Sequence, residues 1–568
     1  MSAPFSFPDP APALDAVVVV PARDEAALIG ACISALAAQD GVAPDSYEVI
    51  VVLDGCRDAT VEVLREASAT HPHLRVHSVE LSVAAGVGRA RRLGMDLACS
   101  RLLALGREDG LIASTDADSV VARDWLAAQL GLAKAGARAI GGHIELNPEE
   151  SKLLDRQALA ERERSAGERL DVTLRESTSG TAVEHHQFSG ASLSLTAQTY
   201  ESCGGLPARA ALEDEALEQA LRARGVAIHR SRLVRVRTSA RTDGRAPRGL
   251  ARDLSRADWR ARRSYRAEQF PLGELLERKD CTIGLVLPAR EVASTIAPIA
   301  AQALRLRDAG LLDEVILIDA ASEDETARLA TEAGLTVVQE NGVMVEFGPA
   351  RGKGDAMWRG LASLDCEIVA FADTDTTGFT EQFLTGLLGP LVCDPDVQLV
   401  KGFFERPFRV HDTLVAGDGG RVTELMARPL LNLHAPELAV FDQPLAGETA
   451  GRRELLERLA FSAGYGVEIA MLIDAWRLVG LDGLAQVDLG VRQNRHQSLR
   501  ELSAMAYAVL VAAQTRFLGE AFADAQAAST MLLPARQGEN TMENRHVVVE
   551  ERPPLADLTR AVEAVSSV

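Results

Sequence analysis

The chain has 568 residues, of which 47% are hydrophobic and 25% charged, and its formal net charge is −21. That length exceeds one ordinary domain, so two or three soluble domains are expected, and so acidic a surface excludes nucleic acid and anionic membrane as general partners. No apolar run of about 18 residues offers a transmembrane helix, and the opening Met1-Ser2-Ala3-Pro4-Phe5 has neither the basic region nor the apolar core of a signal peptide, which makes the expected location cytoplasmic.

In chain order, Val17-Val18-Val19-Val20 is a β-branched run ended by Pro21, and a helical pattern through Leu28, Ile29, Ile33 and Leu36 follows it. Glu48 to Leu53 is a second strand, ended by Asp54-Gly55, and another helical pattern follows. Strands alternating with helices in this way imply a parallel sheet covered by helices. A third apolar strand, Gly110 to Ala113, leads to Asp116-Ala117-Asp118. A polar segment from Arg241 to Asp280 carries Arg248, Arg252, Arg256 and Arg260 four residues apart, on one helical face. We read it as a solvated linker helix, with an anion-binding stripe as the alternative. The first plan then returns: Ile283 to Leu287 ends at Pro288, Glu314 to Ile318 ends at Asp319, and Ile368 to Ala372 ends at Asp373-Thr374-Asp375. Three landmarks repeated in register point to a duplicated nucleotide-binding domain. The expected fold class is α/β, with two Rossmann-like, mainly parallel domains in tandem over 1–240 and 281–568, joined by a basic helical linker over 241–280. The seven cysteines form no CxxC pair and read as reduced core thiols.

Neither half has GxGxxG or GxxxxGK[ST] after its first strand, which argues against dehydrogenases and P-loop enzymes. Carboxylates recur at strand ends instead, where open parallel sheets bind their ligands. Asp54 and Asp319 are placed to accept hydrogen bonds from a base or ribose. Asp116/Asp118 and Asp373/Asp375 are spaced two apart, so on an extended chain each pair faces one way and can share a hard cation with a diphosphate. Arg351-Gly352-Lys353-Gly354 is the local basic site that a phosphorylated substrate of so acidic a protein demands. Gly417 to Thr423 is a second glycine-rich element, with Arg421 able to clamp a phosphate.

Together these pieces resemble the GT-A fold of nucleotide-sugar transferases. In the C-terminal half the resemblance narrows. Pro349-Ala350-Arg351-Gly352-Lys353-Gly354-Asp355-Ala356-Met357-Trp358, Gly419 to Leu425, Gln443 to Glu448, Gly464 to Ile469, Ala485 to Arg492 and Glu551-Arg552-Pro553-Pro554 are similar to glucosyl-3-phosphoglycerate synthases. The resemblance implies transfer of glucose from UDP-glucose to the 2-hydroxyl of 3-phosphoglycerate, with retention, with Mg²⁺ or Mn²⁺, and in a homodimer. Its substrate-binding set maps to Pro288, Ala289, Asp319, Ser322, Lys353, Asp373, Thr374, Gly420, Arg421, Thr423 and Gly447. Asp319 and Ser322 take the uridine side, Lys353 the diphosphate, and Gly420, Arg421 and Thr423 the acceptor phosphate. Glu468 orients the acceptor, Leu445 to Gly447 line the sugar site, and Asp375 binds metal. Two departures stand out. The family's PALNE run is here Pro288-Ala289-Arg290-Glu291-Val292, so the uridine-contacting glutamate is missing at its position. The family's metal-ligand histidine is replaced by Asn494, which leaves two substitute ligands open, His496 two residues on and the carbonyl oxygen of Asn494 itself.

The N-terminal half resembles inverting transferases more broadly, through Gly190 to Leu195, Gly204-Gly205-Leu206-Pro207 and Leu212-Glu213-Asp214-Glu215. The resemblance implies Asp214 as catalytic base, with Glu213 second, Asp54 at the nucleotide and Asp116 and Asp118 at the metal. An acidic first turn that stabilises a helix N-terminus is the other reading of Glu213 and Asp214. A GDP-mannose donor, a sugar-phosphate nucleotidyltransferase and a catalytically silent N-terminal half are the rival functions.

Overall fold

The computed structural model describes residues 7–177, 181–207, 209, 212–244, 249–405, 408–410, 413–415, 420–491, 498–522, 529–534 and 542–558. The chain divides into two compact units, Met1–Ala261 and Arg262–Val568. Each is built on an eight-stranded mixed sheet with helices on its faces, the α/β class that the alternating pattern implies.

In the first unit the strands are β1 (Ala16–Ala22), β2 (Tyr47–Asp54), β3 (Arg75–Leu81), β4 (Leu111–Ser114), β5 (Ser119–Val121), β6 (Ala139–Leu146), β7 (Leu193–Thr196) and β8 (Ile228–Thr238), in the order β3-β2-β1-β4-β7-β6-β8-β5. The second unit adds β9 (Ser264–Arg266), β10 (Ile283–Ala289), β11 (Glu314–Asp319), β12 (Thr336–Gln339), β13 (Ile368–Phe371), β14 (Leu399–Glu405), β15 (Phe408–Val410), β16 (Thr413–Val415), β17 (Thr449–Arg452), β18 (Phe461–Ser462) and β19 (Leu484–Val491). Its sheet order is β12-β11-β10-β13-β17-β14-β19-β9. The two orders match strand for strand, down to the one antiparallel insertion, β7 between β4 and β6 and β17 between β13 and β14. They part at the last edge, where β5 pairs antiparallel with β8 and β9 pairs parallel with β19.

All seven residues of β1 are buried, because apolar clusters form on both faces of the sheet. Val18, Val20, Val49 and Val51 lie on one face, and Val17, Val19, Ile50 and Val52 on the other. The covering helix Val87–Ala104 approaches closely through Gly94, where a Cβ would overlap Val19 and come within 3.1 Å of Val52 Cγ2. Helix Lys353–Ala362 repeats the device: a Cβ on Gly360 would overlap Val286 and reach within 3.3 Å of Ile318 Cγ1. The same glycine against the same pair of strands in both units brings each helix N-terminus over the carboxyl ends of the strands.

The segment expected as a solvated linker is structured differently. Arg241 belongs to the first unit's site, and Leu254, 4% exposed, packs with Leu154 and Ala240. Trp259 is 1% exposed, and β9 is an edge strand of the second sheet. Arg248 lies outside the described residues. The arginine periodicity marked a helix, Leu250–Arg263, but its other face is apolar enough to be buried. All seven cysteines are free. Among the described residues no helix is long and apolar enough to cross a membrane.

Gly94→Ala and Gly360→Ala are expected to cost about 1–3 kcal/mol each, by overpacking. Gly131→Ala, in a helix with open space around it, is expected to gain about 0.5–1 kcal/mol. Thermal or denaturant unfolding of the three variants checks both signs.

Candidate active sites

In the second unit, β10, β11 and β13 end side by side, with Ala289 opposite Asp319 in register. Asp319, 1% exposed, accepts from Ser322 Oγ at 2.6 Å and from Gln339 Nε2 at 2.8 Å. The expected uridine-side pair is therefore together, and Gln339 is a member that the sequence reading did not include. Pro288 contributes its carbonyl, which accepts from Thr374 Oγ1 at 2.6 Å, and the Thr374 carbonyl accepts from Thr295 Oγ1 at the same distance. Thr374 is buried, its hydroxyl turned toward Pro288. Asp375 is exposed and Asp373 half-buried.

Lys353 begins its helix and places Nζ 2.5 Å from Asp373 Oδ1 and 2.7 Å from Glu468 Oε1. Burial alone would depress the ammonium, but Asp373 and Glu468 overrule it and hold the pKa above the usual lysine value. A Cβ on Gly447 would overlap both the Asp373 carboxylate and Lys353 Nζ, so only glycine leaves this contact open. Beneath it lies Lys401, 1% exposed, which donates to the Ala446 carbonyl and, at 2.9 Å, to Thr449 Oγ1. Burial pushes its pKa down to about 8, with Glu468 pulling upward and Lys353 downward. Lys401 thus fastens the turn that carries half-buried Leu445 and buried Gly447. A lysine inside the apolar run Leu399-Val400-Lys401 was the signal for it.

Gly420 leads into a helical segment that Arg421 and Thr423 open. Gly420 has φ +101, its carbonyl accepts from Glu424 N at 2.9 Å, and Thr423 is buried above it. His496, Asn494 and Gly417 to Gly419 lie outside the described residues. Among the described residues no group of three or more His, Cys, Asp or Glu side chains is arranged to hold a metal. Val292, the position of the missing glutamate, is buried in the core at 6% exposure, while Glu291 has φ +54 and accepts from Glu323 N at 2.8 Å.

The first unit differs at the same strand ends. Asp54 accepts from Ala85 N at 2.6 Å and Gly86 N at 3.0 Å. Both its oxygens therefore fix the loop before helix Val87–Ala104. That loop and Gly55 to Arg57 line a cavity of about 520 Å³. At the expected metal pair each carboxylate faces a guanidinium: Asp116 Oδ1 lies 2.8 Å from Arg91 Nη2, and Asp118 Oδ2 lies 2.9 Å from Arg241 Nη2. Burial and the neighbouring Asp116 push Asp118 up to about 6, against the pull of Arg241. Arg91 also holds Glu213 at 3.0 Å and donates to Ser114 Oγ at 2.6 Å. Glu213 is therefore a buried structural partner. Asp214, half-buried, accepts from Gly190 N at 3.2 Å and remains the base candidate near the acidic turn. Arg91 and Arg241 are site residues that the sequence reading missed, since an arginine inside a helix or a linker carries no motif.

Two stretches, residues 17–188 and 285–414, match the family model described as glycosyl transferase family 2. The chain belongs to glycosyl transferase family 2. This family 2 chain is a glycosyltransferase, and its two matched stretches fall one in each unit. It is 36% identical to the glucosyl-3-phosphoglycerate synthase of Petrotoga mobilis over 54% of its own length and 97% of that protein's. It is 40% identical to that of Mycobacterium tuberculosis over 55% and 94%. The solved M. tuberculosis enzyme, in complex with Mn²⁺, UDP and phosphoglyceric acid, is 38% identical over 51% of this chain and 95% of that one, with a TM-score of 0.46. The mannosyl-3-phosphoglycerate synthase of Rubrobacter xylanophilus is 41% identical over 53% and 99%, with a TM-score of 0.49.

Two measurements follow from these charges. Arg91→Met strands the buried Glu213 carboxylate and is expected to cost the first unit about 3–5 kcal/mol in denaturant unfolding, with Arg91→Met/Glu213→Gln recovering most of it. Lys401 has a folded pKa of about 8 against 10.5 unfolded, so in that window the unfolded chain binds the extra proton and stability rises with pH. The unfolding free energy of the native chain is therefore expected to gain on that of Lys401→Met between pH 8 and 10.5, by at most about 3 kcal/mol. A constant difference would exclude the shift.

Proposed function

We propose that the second unit transfers glucose from UDP-glucose to the 2-hydroxyl of 3-phosphoglycerate, with retention, to give glucosyl-3-phosphoglycerate. The observation that carries this reading is the Lys353, Asp373 and Glu468 cluster under Gly447, which assembles side chains from three separate motifs of the resemblance. The high identity to glucosyl-3-phosphoglycerate synthases, nearly end to end in two of them, supports it.

Asp319, Ser322 and Gln339, beside Pro288 and Ala289, receive the nucleoside. Lys353, kept charged by its two carboxylates, meets the negative charge that develops on the departing UDP. Glu468 orients the acceptor, and Arg421, Thr423 and the Gly420 backbone grip its phosphate. The glycine at 447 leaves a cradle against Asp373 that suits a close ligand. Asp375 with Asp373 would hold a Mg²⁺ or Mn²⁺, which supplies Lewis-acid neutralisation of the diphosphate when bound. The acceptor hydroxyl attacks the anomeric carbon from the face that UDP leaves. Its proton passes to the departing diphosphate, and the turn from Leu445 to Gly447, fastened by Lys401, lines the sugar. The first unit is a second transferase domain, with Asp214 as its base.

UDP release by the full chain with Mg²⁺ and UDP-glucose is expected to require 3-phosphoglycerate and to fall about 10²–10³-fold in Lys353→Ala and at least as far in Asp375→Ala. Release from GDP-mannose alone would reassign the donor. No release from either donor, with Mg²⁺ or Mn²⁺, would sink the reading.

A further inference from the structure

The first unit has the carboxylate pair of a metal-dependent transferase, but one oxygen of each already faces a guanidinium. Arg241 reaches Asp118 Oδ2 at 2.9 Å and clasps Glu25 through both its terminal nitrogens, at 2.9 and 2.6 Å, while Arg91 sits 2.8 Å from Asp116. Arg241 is only 23% exposed at the side chain and Asp118 17%, so this is a built ion cluster and not a loose surface pair.

The duplication says which part Arg241 replaces. β8 and β19 hold the same place in their sheets, next to β6 and β14. Arg241 lies three residues beyond Thr238, the last of β8, and Asn494 lies three residues beyond Val491, the last of β19. In the sequence Asn494 stands where the resemblance puts a metal-ligand histidine, whereas at the same offset the first unit has a permanent cation. Glu25 corresponds in turn to Val292: the backbone N of each donates to a threonine hydroxyl, Thr60 at 2.7 Å and Thr326 at 2.8 Å. The first unit therefore pairs an arginine with the glutamate that the second unit lacks at Val292, and that glutamate seats it. A dication between Asp116 and Asp118 would have to expel two guanidinium groups or stand against them, at a Coulomb cost that grows as water is excluded.

We propose that Arg241 takes the place of a divalent cation at the paired carboxylates of the first unit, so that this domain meets the diphosphate of its donor with a guanidinium charge and no metal ion. Guanidinium geometry suits that ligand class, since its fork can bind two phosphate oxygens together.

The test uses the full chain carrying Asp375→Asn, which removes the second unit's ligand. Mn²⁺ is titrated with saturating UDP or GDP and counted by electron paramagnetic resonance, with and without Asp118→Asn. The proposal expects no tightly bound Mn²⁺, or a count unchanged by Asp118→Asn. One Mn²⁺ that disappears with Asp118→Asn overturns it. Should Asp118→Asn not fold, crystals of the unsubstituted chain grown with Mn²⁺ and UDP give the answer: an anomalous peak between Asp116 and Asp118 overturns the proposal, and its absence there upholds it.

Discussion

Carboxylates crowded at the carboxyl ends of a parallel sheet repel one another, and they can stay there only if something positive is seated among them. Both units of this chain gather such groups at equivalent strand ends, after β1, β2 and β4 and after β10, β11 and β13, because that is where the sheet opens to a ligand. The second unit seats Lys353 between Asp373 and Glu468. The first seats two arginines, one tying Asp116 to Glu213 and the other tying Asp118 to Glu25. The choice of counter-charge decides what each site can still accept.

The shared framework makes that divergence readable. Sheet order, the close-packing glycines Gly94 and Gly360, and the left-handed residues Asp24 and Glu291 after the first strands recur in both units. Asp24 accepts from Arg57 N at 2.6 Å as Glu291 accepts from Glu323 N at 2.8 Å, so the strained turn is held the same way twice. Against that constant background the exchange of Glu25 for Val292 stands out as a change of chemistry and not of fold.

In the second unit the charges also shape the backbone. Lys401 is buried under the turn from Leu445 to Gly447, and its hydrogen bonds fix the carbonyl of Ala446 while Gly402 N holds the carbonyl of Glu448 at 2.9 Å. The turn therefore reaches Lys353 and Asp373 already formed, which is the preorganisation a transferase needs if the site is not to rearrange as charge develops. A buried lysine is costly to keep, and its place beneath the turn from Leu445 to Gly447 is a reason for keeping it.

By itself the sequence determined the α/β class, the duplication, the ends of the central strands and most of the residues around Lys353. Strand ends and glycine loops are local features with fixed periodicity and spacing, and period-2 burial alone sends Asp373 and Asp375 to one side. Only the tertiary structure decided which charges meet. Arg91 reaches Asp116 and Glu213 across 25 and 122 residues, and Arg241 reaches Glu25 across 216. Asp54 spends its oxygens on a loop 31 residues away, Thr374 turns its hydroxyl to Pro288, and the stretch read as a linker is shared out between the two units. Such pairings follow from where folded elements bring long side chains, and no spacing along the chain encodes them.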